Sequence, residues 1–347
     1  MSDDQRNAIL DAFRALRESS PRTPAITLAE RLGVSEGTLQ AARLGEDVTT
    51  LPYAPHTLAA MFHKLGPVKA LTRSSLAVLE QTGIYPRASG SGHAGLLLDP
   101  GGLDLRLIYR QWHWACLIRD ELPEGIRFSV QIFDRNGRAV HKAFCQSPAH
   151  HDYWQAIADE GSDDAPCFVG LGEPAASEPP SVSPTSLGEE WAKMSDVHQF
   201  FGLLHRHQLR RRDANAMMEG RFTRALTSSC VEQLLHDAAA TEQSVMIFVA
   251  SPGCVQIRSG VIPQPERKRG WLNLFAADAT LHLDDTAIAE VWEVFKPNRD
   301  GGVTSLEAFD ATGELVLQLY GERREGQQEA AGWRRLLQSL QQRGSAA

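Results

Sequence analysis

The residues best suited to chemistry lie in one short segment, EEWAKMSDVHQFFGLLHRHQLRRRDA, at positions 189–214. Within it, His198, Phe201 and His205 are spaced i, i+3 and i+7, so a helix would carry all three on one face. An adjoining stripe of the same helix would be apolar, formed by Phe200, Leu203 and Leu204. Either Ser195 or Asp196 is expected to cap this helix, which should begin near Val197.

A basic run, residues 210–212, follows this predicted helix. An exposed imidazole beside aromatic rings, with cations close by, meets the needs of haem. The iron requires an axial ligand, the macrocycle an apolar slot, and the two propionates Arg or Lys partners. The same residues also fit an ordinary amphipathic helix that carries a histidine without a ligand and a solvated arginine run. Residue types alone leave both interpretations open.

The elements that must position these residues can be read along the chain. Residues 1–47 show helical periodicity, first through Leu10, Phe13 and Leu16 and then from Ile26 onwards. From about residue 66 the apolar residues alternate in twos and include β-branched types, which predicts strands. The segment 172–186 contains four prolines and few apolar side chains, so it is expected to be a linker.

The two flanks of that linker repeat one another. FSVQIFDRNGRAVHKAFCQ (128–146) aligns with TSLEAFDATGELVLQLYGE (304–322) at an offset of 176. Each copy reads as strand, Asp/Gly turn and strand, which is typical of a β-hairpin. Upstream, residues 75–85 resemble 252–262 at nearly the same offset. The repeat predicts two homologous α+β halves. The polar positions differ, since His93 aligns with Trp271 and Arg106 with Asp284, so the halves are expected to function differently.

Length and composition set outer limits. A chain of 347 residues is expected to form two domains. The net charge of −8 and pI of about 5.9 make nucleic acid an unlikely main partner. Five cysteines show no zinc or disulfide spacing, as expected of reduced thiols. The N-terminal residues lack a signal-peptide pattern and no apolar run is long enough to cross a bilayer, so we expect a cytoplasmic protein without membrane insertion.

Two other motifs could indicate a binding function, of a dinucleotide and of DNA respectively. GSGHAG (90–95) formally contains G-x-G-x-x-G, but Pro100 and two glycines follow where the dinucleotide fingerprint needs a helix. A tight turn that presents His93 is the better account. TLAERLGVSEGTLQAARLG (27–45) resembles a helix-turn-helix, with Gly33 in the turn and Ser35 as a cap. Its second helix is acidic, which favours a structural helical hairpin over a DNA reader.

The sequence resembles the HemS/ChuS-type cytoplasmic hemin-degrading or haem-trafficking proteins of Gram-negative bacteria. Five blocks carry the resemblance in the family's order, over nearly the full length: GHAGLLLDPGGLDLRL (92–107), MSDVHQFFGLL (194–204), VMIFVASPGCVQI (245–257), FKPNRDGGVTSLE (295–307) and LQLYGERREGQ (317–327). The resemblance implies an α+β tandem structural repeat in which each half is a large antiparallel β-sheet flanked by helices.

The resemblance also implies roles for individual residues. The bound group is haem b (hemin), and its iron ligand falls on His198. Arg106 would face the other side of the iron, commonly through water, and would be the catalytic distal residue if the protein is an enzyme. The apolar ring contacts fall on Phe201, Met246 and Phe248. The propionate contacts fall on Arg211, Lys296, Gln318, Tyr320 and Arg323.

The chain departs from the family pattern at a few positions. Ile108 stands where relatives have Phe, so one wall of the pocket should be looser. His205 and His207 replace a lysine and an asparagine; His205 shares a face with His198 and is a candidate secondary ligand. His93 is another, because some relatives bind a second haem at the GHAG histidine. The expected organisation is an N-terminal helical segment of the first repeat (1–47), the first sheet repeat (48–171), a Pro/Ser-rich linker (172–188) and the second repeat with the ligand helix (189–340).

Three functions follow. The first is a haem chaperone of bacterial haem uptake, delivering haem to a haem oxygenase or receiving it from a haem-import ATPase complex. The second is an enzyme that opens the porphyrin ring with electrons from a separate donor, since no flavin site is evident. The sequence shows no obvious acid near Arg106, which favours trafficking. The third, a haem-responsive DNA-binding regulator that uses residues 27–45, is disfavoured by the acidic composition.

Overall fold

The computed structural model describes residues 1–20, 23–122, 125–170, 182–324 and 326–344, which form two compact units. The first unit comprises Met1–Thr72, Gln81–Ala175 and Ser251–Val255. The second comprises Arg73–Glu80, Ala176–Ala250 and Gln256–Ala347. Most of the predicted linker lies outside the described residues, and its last part, 184–188, belongs to a helix.

The N-terminal half of the sequence contains five helices and nine strands within the described ranges. The helices are α1 (Asp3–Ser19), α2 (Ala25–Arg31), α3 (Glu36–Ala42), α4 (Pro55–Met61) and α5 (His151–Asp159). The strands are β1 (Val48–Thr50), β2 (Pro67–Arg73), β3 (Ala77–Ile84), β4 (Ser89–Gly90), β5 (Ala94–Leu97), β6 (Asp104–Ile108), β7 (Trp114–Leu122), β8 (Gly125–Phe133) and β9 (Ala139–Cys145).

The C-terminal half has the same inventory. Its helices are α6 (Pro184–Ala192), α7 (Gln199–Arg206), α8 (Arg211–Met217), α9 (Ser229–Ala240) and α10 (Ala331–Gly344). Its strands are β10 (Thr223–Leu226), β11 (Val245–Ala250), β12 (Cys254–Gly260), β13 (Glu266–Lys268), β14 (Trp271–Phe275), β15 (Ala279–Leu283), β16 (Glu290–Lys296), β17 (Val303–Phe309) and β18 (Leu315–Gly321).

The strand order confirms the predicted tandem α+β repeat. The N-terminal half orders its strands β1-β7-β8-β9-β2-β3, and the C-terminal half orders the equivalent strands β10-β16-β17-β18-β11-β12. Each half of the sequence also contains an antiparallel three-stranded ribbon, which is β4-β5-β6 in the first half and β13-β14-β15 in the second. The aligned hairpins are β8–β9 and β17–β18, and both have a register shift at the end of the first strand.

The two hairpin turns explain why the repeat can be recognised in the sequence. Asp134 accepts hydrogen bonds from the backbone N–H groups of Asn136 and Arg138. Asp310 does the same for Thr312 and Glu314. The glycine of each turn, three residues after the aspartate, has positive φ, which an L side chain rarely adopts. The Asp/Gly pair is therefore the local code for this turn in both halves.

The sheets pack against helices on alternating residues. The burial of β2 and of β11 alternates strictly, whereas β17 is buried along its whole length because side chains cover both of its faces. On one face of β17, Leu306 and Ala308 pack with residues of α9 and α10. On the other, Phe309 packs with residues of α6 and α7, including Trp191 and Phe200. This second face positions the candidate site.

The helix-turn-helix segment forms as predicted but is unsuited to a DNA groove. Gly33 has φ of 66° in the turn, and the Ser35 hydroxyl accepts from the Thr38 N–H at 3.1 Å. Six of the seven residues of α3 are buried. A recognition helix must present its side chains to base edges, which α3 cannot do. The segment is a structural helical hairpin.

The core of the first unit contains a histidine held between two hydroxyls. The His141 ring is fully buried, with Nε2 2.6 Å from the Tyr85 hydroxyl and Nδ1 2.9 Å from the Thr72 hydroxyl. Burial without a carboxylate partner lowers the pKa of His141 to about 3. The ring is therefore neutral in the folded protein at every pH near neutrality.

We predict that this histidine makes the protein acid-sensitive. An unfolded chain protonates the ring below pH 6.5 while the folded one does not, so stability falls as the pH drops below 6.5. At pH 5 the loss from this group should be about 2 kcal/mol. Urea unfolding at pH 7 and pH 5 should show a smaller pH difference for His141→Leu, which copies the aligned Leu317. Equal pH differences in the two proteins would contradict the prediction.

Candidate functional site

The predicted ligand helix is α7, and the structure separates its two faces. Phe200, Leu203 and Leu204 are buried. Phe201 and His205 are exposed, as is His198 at the N-cap position. The His198 side chain is 89% accessible and that of Phe201 is 57% accessible. All three residues of the i, i+3, i+7 set are therefore exposed, and their role as a ligand face stays a prediction.

The ring of His198 is oriented by a carboxylate. Its Nδ1 lies 2.7 Å from Oδ1 of Asp196, which also accepts the His198 backbone N–H at 2.8 Å. The backbone hydrogen bond, followed by the bond from the ring, lowers the pKa of Asp196. An ionised carboxylate can only accept, so Nδ1 carries the proton. In the neutral form of the imidazole, the lone pair then lies on Nε2 of an exposed side chain, as metal-binding histidines require.

The start of α7 differs from the prediction. The regular helix begins at Gln199, not near Val197, and the N-cap residue is His198. The Gln199 side chain reaches back, and its Oε1 accepts the backbone N–H groups of Ser195 and Asp196. Asp196 accepts the backbone N–H of His198 and so stabilises the turn before the helix. Its carboxylate therefore bonds to the histidine and does not cap the first N–H groups of α7.

A second cluster lies on the sheet face beneath α7 and centres on Glu307 of β17. This side chain is fully buried. Its Oε1 accepts from Lys296 Nζ at 2.7 Å, from Gln318 Nε2 at 2.8 Å and from Arg211 Nη1 at 2.9 Å. Its Oε2 accepts from Asn215 at 3.1 Å. Three of the predicted propionate contacts thus converge on one internal carboxylate.

The electrostatics of Glu307 follow from this cluster. Burial on its own would raise the pKa of the carboxyl, but the charges of Lys296 and Arg211 outweigh it and hold the pKa well below its usual range. Glu307 was not among the predicted site residues, although the sequence contains one signal of its role. It is an acid in a strand of otherwise small or apolar residues, aligned with Gln131 in the other half.

The remaining predicted contacts of the second unit lie beside this cluster. In the β11–β18 register, Met246 pairs with Tyr320 and Phe248 pairs with Gln318. The Phe248 and Tyr320 rings are 5.0 Å apart, and the Tyr320 hydroxyl accepts from Gln318. Met246, Phe248 and Tyr320 are half-buried, and so is Arg323, two residues beyond β18. One sheet face therefore combines apolar groups with cations and a hydroxyl.

The first unit holds the other two predicted residues. Arg106 lies on β6 and is one-third exposed, and His93 lies in the exposed turn between β4 and β5. Arg106 forms an ion pair with Asp104. The expectation that no acid accompanies Arg106 was therefore wrong, because residues i and i+2 of a strand share a face. Burial raises the pKa of Asp104, in spite of Arg106.

The two histidines at the end of α7 differ in their availability. Nε2 of His207 lies 2.8 Å from Glu190, whose pKa is lowered by Arg206 and by His207 itself. His205 is exposed, as His198 is.

Within the described ranges, no helix is long and apolar enough to span a membrane.

With this geometry in view, comparison with known proteins identifies the class. Residues 33–160 and 208–340 match the family described as "Haemin-degrading HemS.ChuX domain", to which this chain belongs. The two matched segments agree with the tandem repeat. The helix α7, which carries the predicted ligand face, ends just ahead of the second segment.

Individual relatives are similar over nearly the whole chain. The hemin transport protein HmuS of Yersinia pestis is 40% identical over 92% of this chain and 93% of its own length. The hemin transport protein HemS of Yersinia enterocolitica is 38% identical over 98% and 99%. Among solved structures, the haem-degrading enzyme ChuS of Escherichia coli O157:H7 and the holo form of the haem-binding protein PhuS of Pseudomonas aeruginosa each match with a TM-score of 0.89 and 34% identity, over 96% of this chain and 99% of theirs.

The cluster around Glu307 yields a stability prediction. Glu307→Gln leaves the buried Lys296 and the half-buried Arg211 without their counter-charge, so it should destabilise the protein by about 3–5 kcal/mol. Urea unfolding at pH 7 measures the change. Glu314→Gln, in the exposed turn of the same hairpin, is the matched control and should change stability by less than about 0.5 kcal/mol. A similar loss in both variants would mean that the buried pairing contributes little.

Proposed function

We propose that this chain is a cytoplasmic haem-binding protein of bacterial haem uptake and utilisation, which delivers haem b to its degradation or takes part in it. The observation that carries the proposal is His198. Its ring is held by Asp196 through Nδ1, and the exposed side chain at the N-terminus of α7 has Nε2 as the candidate iron ligand, in a chain whose relatives are described as hemin transport and haem-degrading proteins.

The surrounding side chains fit the rest of a haem. Phe201, Met246 and Phe248 would contact the macrocycle, since aromatic and thioether groups pack well on flat apolar rings. Arg211, Tyr320 and Arg323 are half-buried and would bond the propionates directly. The two buried donors, Lys296 and Gln318, would hold Arg211 and Tyr320 in place through Glu307 and the tyrosine hydroxyl. Arg106 would donate on the other side of the iron, and His93 and His205 would be secondary ligands.

The proposed partners follow from these roles. As a chaperone, the protein would receive haem from an import ATPase complex and pass it to a haem oxygenase. An exposed ligand helix suits such a transfer, because the ligand can be approached from solvent.

The second candidate function is haem degradation by this chain itself. The Asp104–Arg106 pair favours it, because it places a carboxyl, whose pKa is raised by burial, beside the predicted distal arginine. Bound haem would supply the redox chemistry, and a separate electron donor would be required.

The test of the proposal is a hemin titration of the apoprotein followed by absorption spectroscopy. We expect a saturable 1:1 Soret band in the wild type. His198→Ala should shift the band and weaken binding by more than about 10-fold, because even outer-shell partners of a metal contribute 10–100-fold. His56→Ala, at an exposed position of α4 outside the proposed set of haem contacts, is the matched control and should titrate like the wild type.

Each other outcome has a definite meaning. If His198→Ala titrates like the wild type, the ligand is a different residue, and if no variant binds hemin above background, the function is wrong. Ascorbate added to the loaded protein in the presence of catalase separates the two roles. Conversion to a bilin indicates the enzyme, and persistence of the Soret band indicates the chaperone.

We further predict that Asp196 tunes the iron through His198. Asp196→Asn keeps a hydrogen-bond acceptor but removes the charge. The imidazole then donates less electron density to the iron, so the Fe(III)/Fe(II) reduction potential should rise. Spectroelectrochemical titration of the haem complex measures the potential, and Ser195→Ala is the neighbouring control. An unchanged potential in Asp196→Asn would limit Asp196 to a role in the turn.

A further inference from the structure

The loop between β16 and β17, residues 297–302, is bonded to the ligand turn, residues 195–198, which carries His198. The backbone N–H of Arg299 donates to the carbonyl oxygen of Ser195 at 3.1 Å. From the other side, the side chain of Gln199 accepts backbone N–H groups of the same turn. The ligand turn is therefore held by a loop of the sheet as well as by its own helix.

One side chain gives this loop its shape. Oδ1 of the half-buried Asn298 accepts the backbone N–H groups of Asp300 at 2.9 Å and of Gly302 at 2.7 Å. Gly301 and Gly302 both have positive φ, and glycines give a chain many alternative conformations. The two hydrogen bonds therefore select one conformation of the loop, in which the backbone of Arg299 is directed at the ligand turn.

The start of the loop is fixed by buried contacts beneath α7. Lys296, the residue before the loop, donates to Glu307 at 2.7 Å. The carbonyl oxygen of Phe295 accepts from Nε1 of Trp191 at 3.0 Å, and the Trp191 ring packs edge-on against Phe200 of α7. The loop thus leaves the sheet from a fixed point, and its internal hydrogen bonds determine where its middle lies.

We propose that Asn298 is a positioning residue for the iron ligand: through the loop backbone it holds the ligand turn, and with it the His198 ring, in one orientation. This role rests on the haem function proposed above and extends it to a residue outside the proposed set of haem contacts. A ligand that is already ordered loses less freedom when the iron binds, so haem binds more tightly and leaves more slowly.

The first measurement is made on the apoprotein and needs no haem. Asn298→Ala removes the acceptor of two hydrogen bonds, so hydrogen exchange of the Arg299 amide, followed by NMR, should become about 10-fold faster. The ¹⁵N order parameter of the His198 amide should fall in the same variant. Asn298→Asp keeps an acceptor oxygen at the same place and should behave like the wild type.

A control variant separates this effect from a general loss of hydrogen bonds. Thr312→Ala removes a side-chain hydrogen bond from the turn at the opposite end of β17 and should leave the Arg299 and His198 amides unchanged. If Asn298→Ala folds poorly, Asn298→Gln takes its place, because the longer side chain displaces the acceptor oxygen but remains polar.

The second measurement uses hemin. The loaded protein is mixed with excess apomyoglobin, and transfer is followed by absorption. Release should be about 10-fold faster from Asn298→Ala, since residues that orient a metal ligand contribute 10–100-fold to affinity. The iron–histidine stretching frequency of the ferrous complex, measured by resonance Raman spectroscopy, should also shift. Asn298→Asp should restore both values, and Thr312→Ala should keep them.

The two measurements distinguish this role from the haem function itself. Unchanged exchange and order in apo Asn298→Ala would overturn the proposal whatever hemin does. Faster exchange with unchanged release and frequency would also overturn it, because the loop would then order the turn without positioning the ligand. If the wild type binds no hemin, the proposed function fails and the ligand role falls with it, while the apoprotein result still shows whether Asn298 orders the turn.

Discussion

The buried carboxylate of Glu307 is the interaction on which the proposed site depends. It joins the first residue of α8 to three adjacent strands, because Arg211, Lys296 and Gln318 all donate to one of its oxygens. The same two cations lie 5.0 Å from the ring centre of Phe200, the buried anchor of α7. Cation–π contacts of this kind are favourable when the cation is desolvated. The helix next to His198 thus packs on an internal cluster in which one carboxylate pairs with two cations.

The duplication shows how one scaffold came to have two different halves. Glu36 is the first residue of α3 and pairs with Lys142 of β9. Arg211 is the first residue of α8 and pairs with Glu307 of β17. The helix N-terminus is anionic in one half and cationic in the other. Each half has a charged pair at this helix, and the sign of the helix residue is reversed between the halves; a local partner of this kind offsets the cost of burying a charge. The cationic version is the one suited to carboxylates of a ligand.

The apolar framework, by contrast, is common to both halves. Strand order, hairpin register and turn geometry repeat, while polar residues diverge, as at His141 and its aligned Leu317. A sheet face packed at crystal-like density tolerates few changes of volume. A polar group can be replaced when its partner changes with it.

The sequence alone determined the repeat, the fold class and the helix that carries His198, because these depend on local codes. Asp/Gly turns, strands with a period of two and the i, i+3, i+7 spacing each involve only a few neighbouring residues. They can therefore be recognised in the sequence without knowledge of the fold. The tertiary structure decided which residues are exposed, which are buried and which distant residues form pairs. It exposed His198 and buried α3, it brought Glu307 to donors up to 96 residues away along the chain, and it paired Arg106 with an acid that the pattern had not singled out. These outcomes depend on which side chains come together in the interior, away from water. The pairing of distant strands decides that, and the spacing of residues along the sequence does not.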